Sequence, residues 1–351
     1  MITINKRKIG PQHKPYIIAE LSANHNNDLE LAKKLVLEAK KCGADDVKLQ
    51  TYTQDTITLN SNNEDFCIKG GLWDGYTLYD LYKEASLPWE WHQPLFDLAK
   101  EIGITMFSSP FDNTAIDFLE ELGCPAYKIA SFEAVDHQLI EYAAKTKKPL
   151  IISTGMANDE EIREAISVAK NAGAADVAIL HCVSGYPAPP EDYNLNTLKD
   201  MLNKHKVVTG LSDHTIENFT AFGSVAMGAS IIEKHFTLSR KNGGPDDSFS
   251  LEPSDLINLV NGCNIIWKSL GSVNYGLKSS ERGNIQFRRS IYFVKNLKQG
   301  HVITNNDIRS VRPGYGLEPK YYNELLGKRL KKPAKKNTPV KKDYFETNKE
   351  N

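Results

Sequence analysis

The stretch YIIAELSANHNNDLELAKKLVLEAKKCGADDVKLQ, residues 16–50, decides the fold. Tyr16-Ile-Ile-Ala-Glu20 is a short apolar run of the kind that forms a buried strand. From Asp28 to Cys42 the spacing becomes that of an amphipathic helix, with Leu31, Leu35, Val36 and Ala39 on one face. Gly43 follows the last periodic residue and predicts the stop. Asp46-Val-Lys-Leu-Gln50 then reads as a second strand, so the stretch is one β-α-β unit.

The alternation continues outward. Further strands are predicted at Ile104–Phe107, Ala126–Ala130, Leu150–Ser153, Val177–His181, Val207–Leu211 and Ala229–His235, with helical patterns in most of the gaps. Eight such strands predict the α/β class and a (β/α)8 TIM barrel. The rival, an open doubly wound sheet, usually has fewer strands, and no G-x-G-x-x-G follows the first strand here. Two stretches break the pattern. Thr53 to Gln93 is a long insertion rich in Asn, Gly, Trp and Tyr, read as a lid. After a last helix at Asn261–Leu270, Gly271 to Asn284 reads as a linker, and Arg289-Ser-Ile-Tyr-Phe-Val294 alternates like a strand of a small β-rich module. The expected organisation is a barrel over 1–270, a linker over 271–285 and the module over 286–351. Before the barrel, Ile2-Thr-Ile4 and Lys8-Ile-Gly-Pro11 look like a hairpin that plugs its N-terminal mouth.

Composition narrows the function classes. Lys+Arg is 43 and Asp+Glu is 44, so 43 − 44 leaves a net charge of −1, which argues against a nucleic-acid binder. The basic run 327–336 reads as a solvated face, or as a field that steers anions. No apolar run is long enough for a membrane helix, so no membrane partner is expected. The five cysteines are scattered without a C-x-x-C pair, and no secretory signal is readable, so the default is a reduced, cytoplasmic protein.

In a TIM barrel the active site lies at the C-terminal ends of the strands. Almost every predicted strand here ends in a polar residue: Glu20, Lys48 and Gln50, Ser108 and Ser109, Lys128 and Ser131, Ser153, His181, Ser212 to His214, Glu233 to His235. Inward charges in a closed barrel must be paired or liganded, so this ring is taken as a site. Lys48, Lys128, Ser109, Ser131, Ser153 and Ser212 suit a phosphate or carboxylate ligand. Glu20, His214, Glu233 and His235 suit a divalent ion. Lys234 alternates away from its neighbours and reads as solvated; His181 and Cys182 read equally as core or as substrate contacts.

At these residues the chain resembles a known family. Ala19-Glu-Leu-Ser-Ala-Asn-His25, Val47-Lys-Leu-Gln-Thr51, Tyr127-Lys-Ile-Ala-Ser131, Gly210-Leu-Ser-Asp-His214 and Glu233-Lys-His-Phe236 are similar to the motifs of the sialic acid synthases. Val311-Arg-Pro-Gly-Tyr-Gly316 resembles their antifreeze-like (SAF) domain, and the segment from Leu72 to His92 resembles the insertion of the pseudaminic branch. The resemblance implies a phosphoenolpyruvate-dependent transferase of nonulosonic acid biosynthesis, with flagellin glycosylation as its setting. The second substrate it implies is an acetamido-sugar, 2,4-diacetamido-2,4,6-trideoxy-L-altrose. It implies a divalent metal, Mn2+ first and Mg2+ or Co2+ as alternatives, on His214 and His235. It implies that Lys48, Lys128, Ser131, Ser153 and Ser212 hold phosphoenolpyruvate, with Ser109 where the sialic branch has Thr. It implies a homodimer with swapped C-terminal domains, in which Arg312 reaches the other subunit's acetamido group.

Several roles stay open in the sequence. Glu20, with Glu233 as runner-up, is the candidate to handle a water, and either can instead be a support. Gln50 shares the inward face of Lys48; Asp246 binds sugar hydroxyls or merely forms a turn; Tyr186 packs on the sugar or stiffens a proline-rich turn. Trp73, Tyr76, Tyr79, Tyr82, Trp89 and Trp91 line an apolar wall for the sugar or only dock the insertion. The rival functions are an N-acetylneuraminate or legionaminate synthase, a 3-deoxy-sugar-phosphate synthase, and a non-enzymatic sugar-binding protein.

Overall fold

Alternating β and α segments leave each strand needing cover on both faces, and closing the sheet on itself supplies it. A computed structural model describes residues 1–345 and shows that closure. A hairpin of β1 (Ile2–Ile4) and β2 (Arg7–Ile9) precedes eight parallel strands: β3 (Tyr16–Glu20), β4 (Asp46–Thr51), β5 (Thr105–Pro110), β6 (Tyr127–Ile129), β7 (Leu150–Ser153), β8 (Val177–Cys182), β9 (Val208–Asp213) and β10 (Ile231–His235). They hydrogen-bond in sequence order, and β10 closes the barrel against β3.

The helices begin and end where local chemistry dictates. α1 (Leu29–Cys42) is capped by the Asp28 carboxylate, which accepts from the Glu30 and Leu31 amides, and stops at Gly43 with φ +92°. α2 (Gln54–Ile57) and α3 (Leu78–Ala85) lie in the insertion, which leads into α4 (His92–Ile102). α5 (Asn113–Glu121), α6 (His137–Lys145), α7 (Asp159–Asn171), α8 (Asn196–His205) and α9 (Phe219–Ala226) follow their strands. α10 (Pro253–Leu270) begins earlier than the predicted Asn261, because Pro253 and the Glu252–Asp255 capping box start the helix there.

The hairpin closes the N-terminal end. Ile2, Ile4 and Ile9 are buried in one core with Tyr16, Ile18 and Phe107. The Thr3 amide donates to Asp176, and Arg7 pairs with Asp45, both just ahead of barrel strands. The opposite end is left to function.

The chain divides into two units, Met1–Gly271 and Ser272–Asn351. The second holds an exposed 3₁₀ segment, Ser279–Phe287, then an antiparallel pair, β11 (Ser290–Phe293) with β12 (Ile308–Val311), and α11 (Tyr322–Leu325). Its own core contains Ile291, Phe293, Ile303, Ile308, Leu330 and Val340. The expected end of this module at 351 lies outside the described residues. Among the described residues no helix is long and apolar enough to cross a membrane.

Candidate active site

Parallel register places the strand-end residues level with one another. Glu20 lies opposite Lys48 on one side and His235 on the other; Gln50 is opposite Ser109, and Glu233 is opposite Ser212. Side chains two apart on a strand share a face, so these neighbours converge at the C-terminal mouth.

The two lysines are buried, at 4% and 2% exposure for Lys48 and Lys128. Each is bound to a serine: Lys48 Nζ donates to Ser109 Oγ at 3.2 Å, and Lys128 Nζ to Ser153 Oγ at 2.6 Å. Both also face one oxygen of Glu233, at 3.5 and 3.4 Å, and that oxygen accepts from Ser212 at 3.2 Å. Lys48 further pairs with Glu20 at 2.9 Å, and Gln50 Nε2 donates to the other Glu20 oxygen at 2.8 Å. Burial pushes Glu20 above the ordinary carboxylate range, against the pull of Lys48. Burial acts on Glu233 too, but Lys128 and Lys48 outweigh it and hold this carboxyl below its ordinary value. Burial lowers Lys128, whereas Glu20 and Glu233 more than offset it at Lys48.

This geometry corrects one expectation. Glu20 and Glu233 were grouped with the histidines as a metal set, yet their carboxylates lie among the lysines. A second correction concerns Lys234. It is 2% exposed rather than solvated, and its Nζ meets Asp213 at 2.8 Å and the carbonyls of Thr215 and Glu217 at 2.7 and 2.9 Å. Facing away from the barrel axis means facing the buried layer under the helices.

The imidazoles of His214 and His235 do come together, with ring centroids 5.4 Å apart. His214 Nδ1 donates to the Val183 carbonyl at 2.7 Å, so Nε2 is the atom left to take a ligand; burial works to lower this imidazole, but Cys182 beside it more than offsets that and holds it above its ordinary value. The Tyr193 hydroxyl accepts from the His214 amide at 2.7 Å and donates to the Ser212 carbonyl at 3.2 Å, fixing the strand end. Burial, with His214 and the lysines nearby, pushes His235 well below the usual imidazole range, so it is neutral. Its Nδ1 is buried without a hydrogen-bond partner; the nearest carboxylate, Asp246, is 3.9 Å away. Two converging imidazoles, one with an orphaned nitrogen, fit a divalent ion. No group of three or more His, Cys, Asp or Glu among the described residues is arranged to hold a metal.

Other polar atoms at the same mouth are also buried without partners: Oε2 of Glu233, Oε2 of Glu133 and Oγ of Ser184. Buried polar groups are normally satisfied, so this concentration marks a ligand site. Ser131 opens the turn after β6, and the loops after β6, β7 and β8 crowd there: a Cβ added at Gly155 would lie 2.4 Å from the Ser131 Cβ and 2.8 Å from Ser184 Oγ.

An aromatic wall bounds the histidines. The Tyr186 ring is 4.4 Å from His214, 5.4 Å from Phe249 and 5.7 Å from Trp73, and Phe249 is 5.0 Å from His235. Asp246 is buried and accepts from the Ser22 hydroxyl. Ser22 sits at φ +44°, a left-handed conformation that non-glycine residues adopt at a cost. His181 bonds the Tyr193 carbonyl and serves packing. Arg312 is exposed on the second unit, just after β12. Ser22, Glu133, Ser184, Tyr193 and Phe249 were not predicted; Ser22 stands two residues past Glu20 in a quoted motif, whereas the others carry no sequence signal.

The NeuB family profile matches residues 35–275, and that of the SAF domain matches residues 288–346. A pseudaminic acid synthase of Helicobacter pylori is 44% identical over 334 residues, covering 95% of this chain and 98% of that protein. One from Campylobacter jejuni is 43% identical over 332 residues, covering 95% and 97%. The crystal structure of an N-acetylneuraminic acid synthetase from Leptospira borgpetersenii in complex with citrate superposes with a TM-score of 0.73 at 32% identity, covering 82% of this chain and 95% of that one.

Proposed function

This chain belongs to the NeuB family, and from that premise we propose that it condenses phosphoenolpyruvate with 2,4-diacetamido-2,4,6-trideoxy-L-altrose, giving pseudaminic acid and inorganic phosphate. The observation that carries the reading is the pair of buried lysines, each on a serine and both facing Glu233, beside two converging imidazoles. Glu20 and Glu233 balance the two ammonium groups, and the serine hydroxyls beside them complete a row of donors turned to one mouth, which suits an incoming anion.

Phosphoenolpyruvate takes the cradle of Lys48, Lys128, Ser109, Ser131, Ser153 and Ser212, whose ammonium and hydroxyl groups donate to phosphate and carboxylate oxygens. His214 and His235 would hold a divalent cation, Mn2+ in first place, which when bound would supply Lewis-acid polarisation of the sugar aldehyde. C3 of phosphoenolpyruvate attacks the aldehyde carbon, and positive character develops at C2. Water adds at C2. Glu20 orients this water and takes its proton; its support is geometric, since Glu233 is held by Ser212 and two lysines while Glu20 meets one lysine and Gln50. Glu233 keeps the lysines in place. The proton taken by Glu20 passes to the alkoxide formed from the aldehyde oxygen. The tetrahedral species then expels phosphate by C–O cleavage as its C2 hydroxyl gives its proton to the leaving phosphate and becomes the keto oxygen, and the lysines meet the charge on the leaving group. Asp246 and Tyr186 hold the sugar beside the histidines.

A homodimer with exchanged C-terminal domains completes the proposal, Arg312 of the second copy binding an acetamido group. Its support is the apolar rim past the strand ends, on the connections and at the start of α9: Phe132, Val135, Met156, Ile216 and Phe219 are 53%, 54%, 74%, 44% and 76% exposed. The functional test is phosphate release from phosphoenolpyruvate and Mn2+ with either the diacetamido sugar or N-acetylmannosamine. Release with the diacetamido sugar is expected; release with N-acetylmannosamine alone would overturn the proposal.

A further inference from the structure

Within the insertion between β4 and α4, the segment Leu72–His92 carries six Trp and Tyr side chains, and their surroundings divide them. Three hold the insertion together and two dock it. The Tyr76 hydroxyl donates to Glu84 and that of Tyr79 to Asp55, Tyr82 meets Tyr52 edge-on, Trp89 stacks on Phe118 at 4.7 Å, and Trp91 meets His25 at 5.9 Å. Trp73 reaches the mouth instead. Along Gly70–Tyr76 every other residue is exposed, while Trp73 turns inward and is half-buried against Tyr186.

Its ring is also fixed. The indole N–H donates to the Pro245 carbonyl at 3.3 Å, one residue before Asp246. Tryptophan has no other polar atom, so the surface left for a ligand is wholly apolar. The contacts run His214, Tyr186, Trp73, outward from the imidazoles. A sugar whose aldehyde lies at the histidines therefore brings its far carbons to Trp73. In the diacetamido sugar those carbons bear an acetamido methyl and a C6 methyl; in N-acetylmannosamine they bear hydroxyls. An apolar face rewards the methyl groups and leaves a buried hydroxyl unpaired.

Resting on the function proposed above, we infer that Trp73 determines specificity at the far end of the sugar, as the wall that reads its 4-acetamido and 6-methyl groups. The test compares kcat/KM for the diacetamido sugar with that for its analogue bearing hydroxyls at C4 and C6, in wild type, Trp73→Phe, Trp73→Ala and Trp73→Gln. Trp73→Ala is expected to lower kcat/KM about tenfold or more for the diacetamido sugar but less than about threefold for the analogue, with KM for phosphoenolpyruvate unchanged. Trp73→Phe retains most of the discrimination. Trp73→Gln keeps a donor for the Pro245 carbonyl but loses the apolar face, and carries the same expectation as alanine if the alanine variant does not fold. Equal losses for both sugars would overturn the inference and reduce Trp73 to docking. No turnover of either sugar by the wild type would instead overturn the function it rests on.

Discussion

Replacing Glu20 by Gln separates the chemical role of this carboxylate from a binding role. The amide is isosteric, and its oxygen can still accept from Gln50 Nε2, now at 2.8 Å. Lys48 loses one partner at 2.9 Å but keeps Ser109 at 3.2 Å and Glu233 at 3.5 Å, so no ammonium is left buried alone. The stability cost is therefore well below the ~3–5 kcal/mol of breaking an isolated buried pair. The cost to turnover is larger. General-base catalysis is worth about 10²–10⁴-fold, or ~3–5 kcal/mol on the barrier. With both substrates saturating, phosphate release by Glu20→Gln should fall by at least about a hundredfold, with KM for phosphoenolpyruvate within about threefold of wild type. Glu233→Gln should show the opposite split, because its carboxylate positions Lys48 and Lys128. A Glu20→Gln enzyme with near-normal kcat, or with its whole loss in KM, would refute the assignment.

Two further outcomes follow from the geometry. Gly155→Ala puts a methyl group 2.4 Å from the Ser131 Cβ at a residue with φ +30°; displaced Ser131 should raise KM for phosphoenolpyruvate about tenfold, and an unchanged KM would show that Ser131 does not touch this substrate. Burial pushes the His92 imidazole, fully enclosed between Thr51 and Pro88, down to about 4 from 6.5. As pH falls the unfolded chain takes up this proton first, so the stability is complete above pH 6.5 and is lost on the way down to about pH 4, amounting to about 2 kcal/mol by pH 5. Urea unfolding at pH 7.5 and 5 should show this loss reduced in His92→Gln; equal pH losses in the two proteins would count against it.

What the sequence made legible was whatever repeats locally. Tyr16–Glu20 and Leu150–Ser153 were bounded correctly because apolar runs stop at a polar end. β5 runs on past the predicted Phe107 to Pro110, since its ladder with β4 pairs Thr51 with Pro110, and Ser-Ser-Pro alone reads as a turn. Lys234 shows a second limit. Its alternation was read correctly, but only the register that sets it beside Asp213 reveals a buried ion pair. The same holds for Glu20 and Glu233, whose residue types suggest metal ligands and whose carboxylates in the closed barrel meet lysines and a serine. Spacing along the chain finds the ring; pairing between strands assigns its members. The six Trp and Tyr residues of Leu72–His92 look alike in sequence and part company only when Tyr186 and Pro245 come within reach of one of them.

The central claim is that His214 and His235 form one cation site beside the lysine cradle. Titration of the metal-free protein with Mn2+, followed by electron paramagnetic resonance, tests it most directly. One ion per chain should bind to the wild type, the site should be lost in His214→Ala and in His235→Ala, and circular dichroism should show both variants folded. Undiminished binding of Mn2+ by both His214→Ala and His235→Ala would contradict the account.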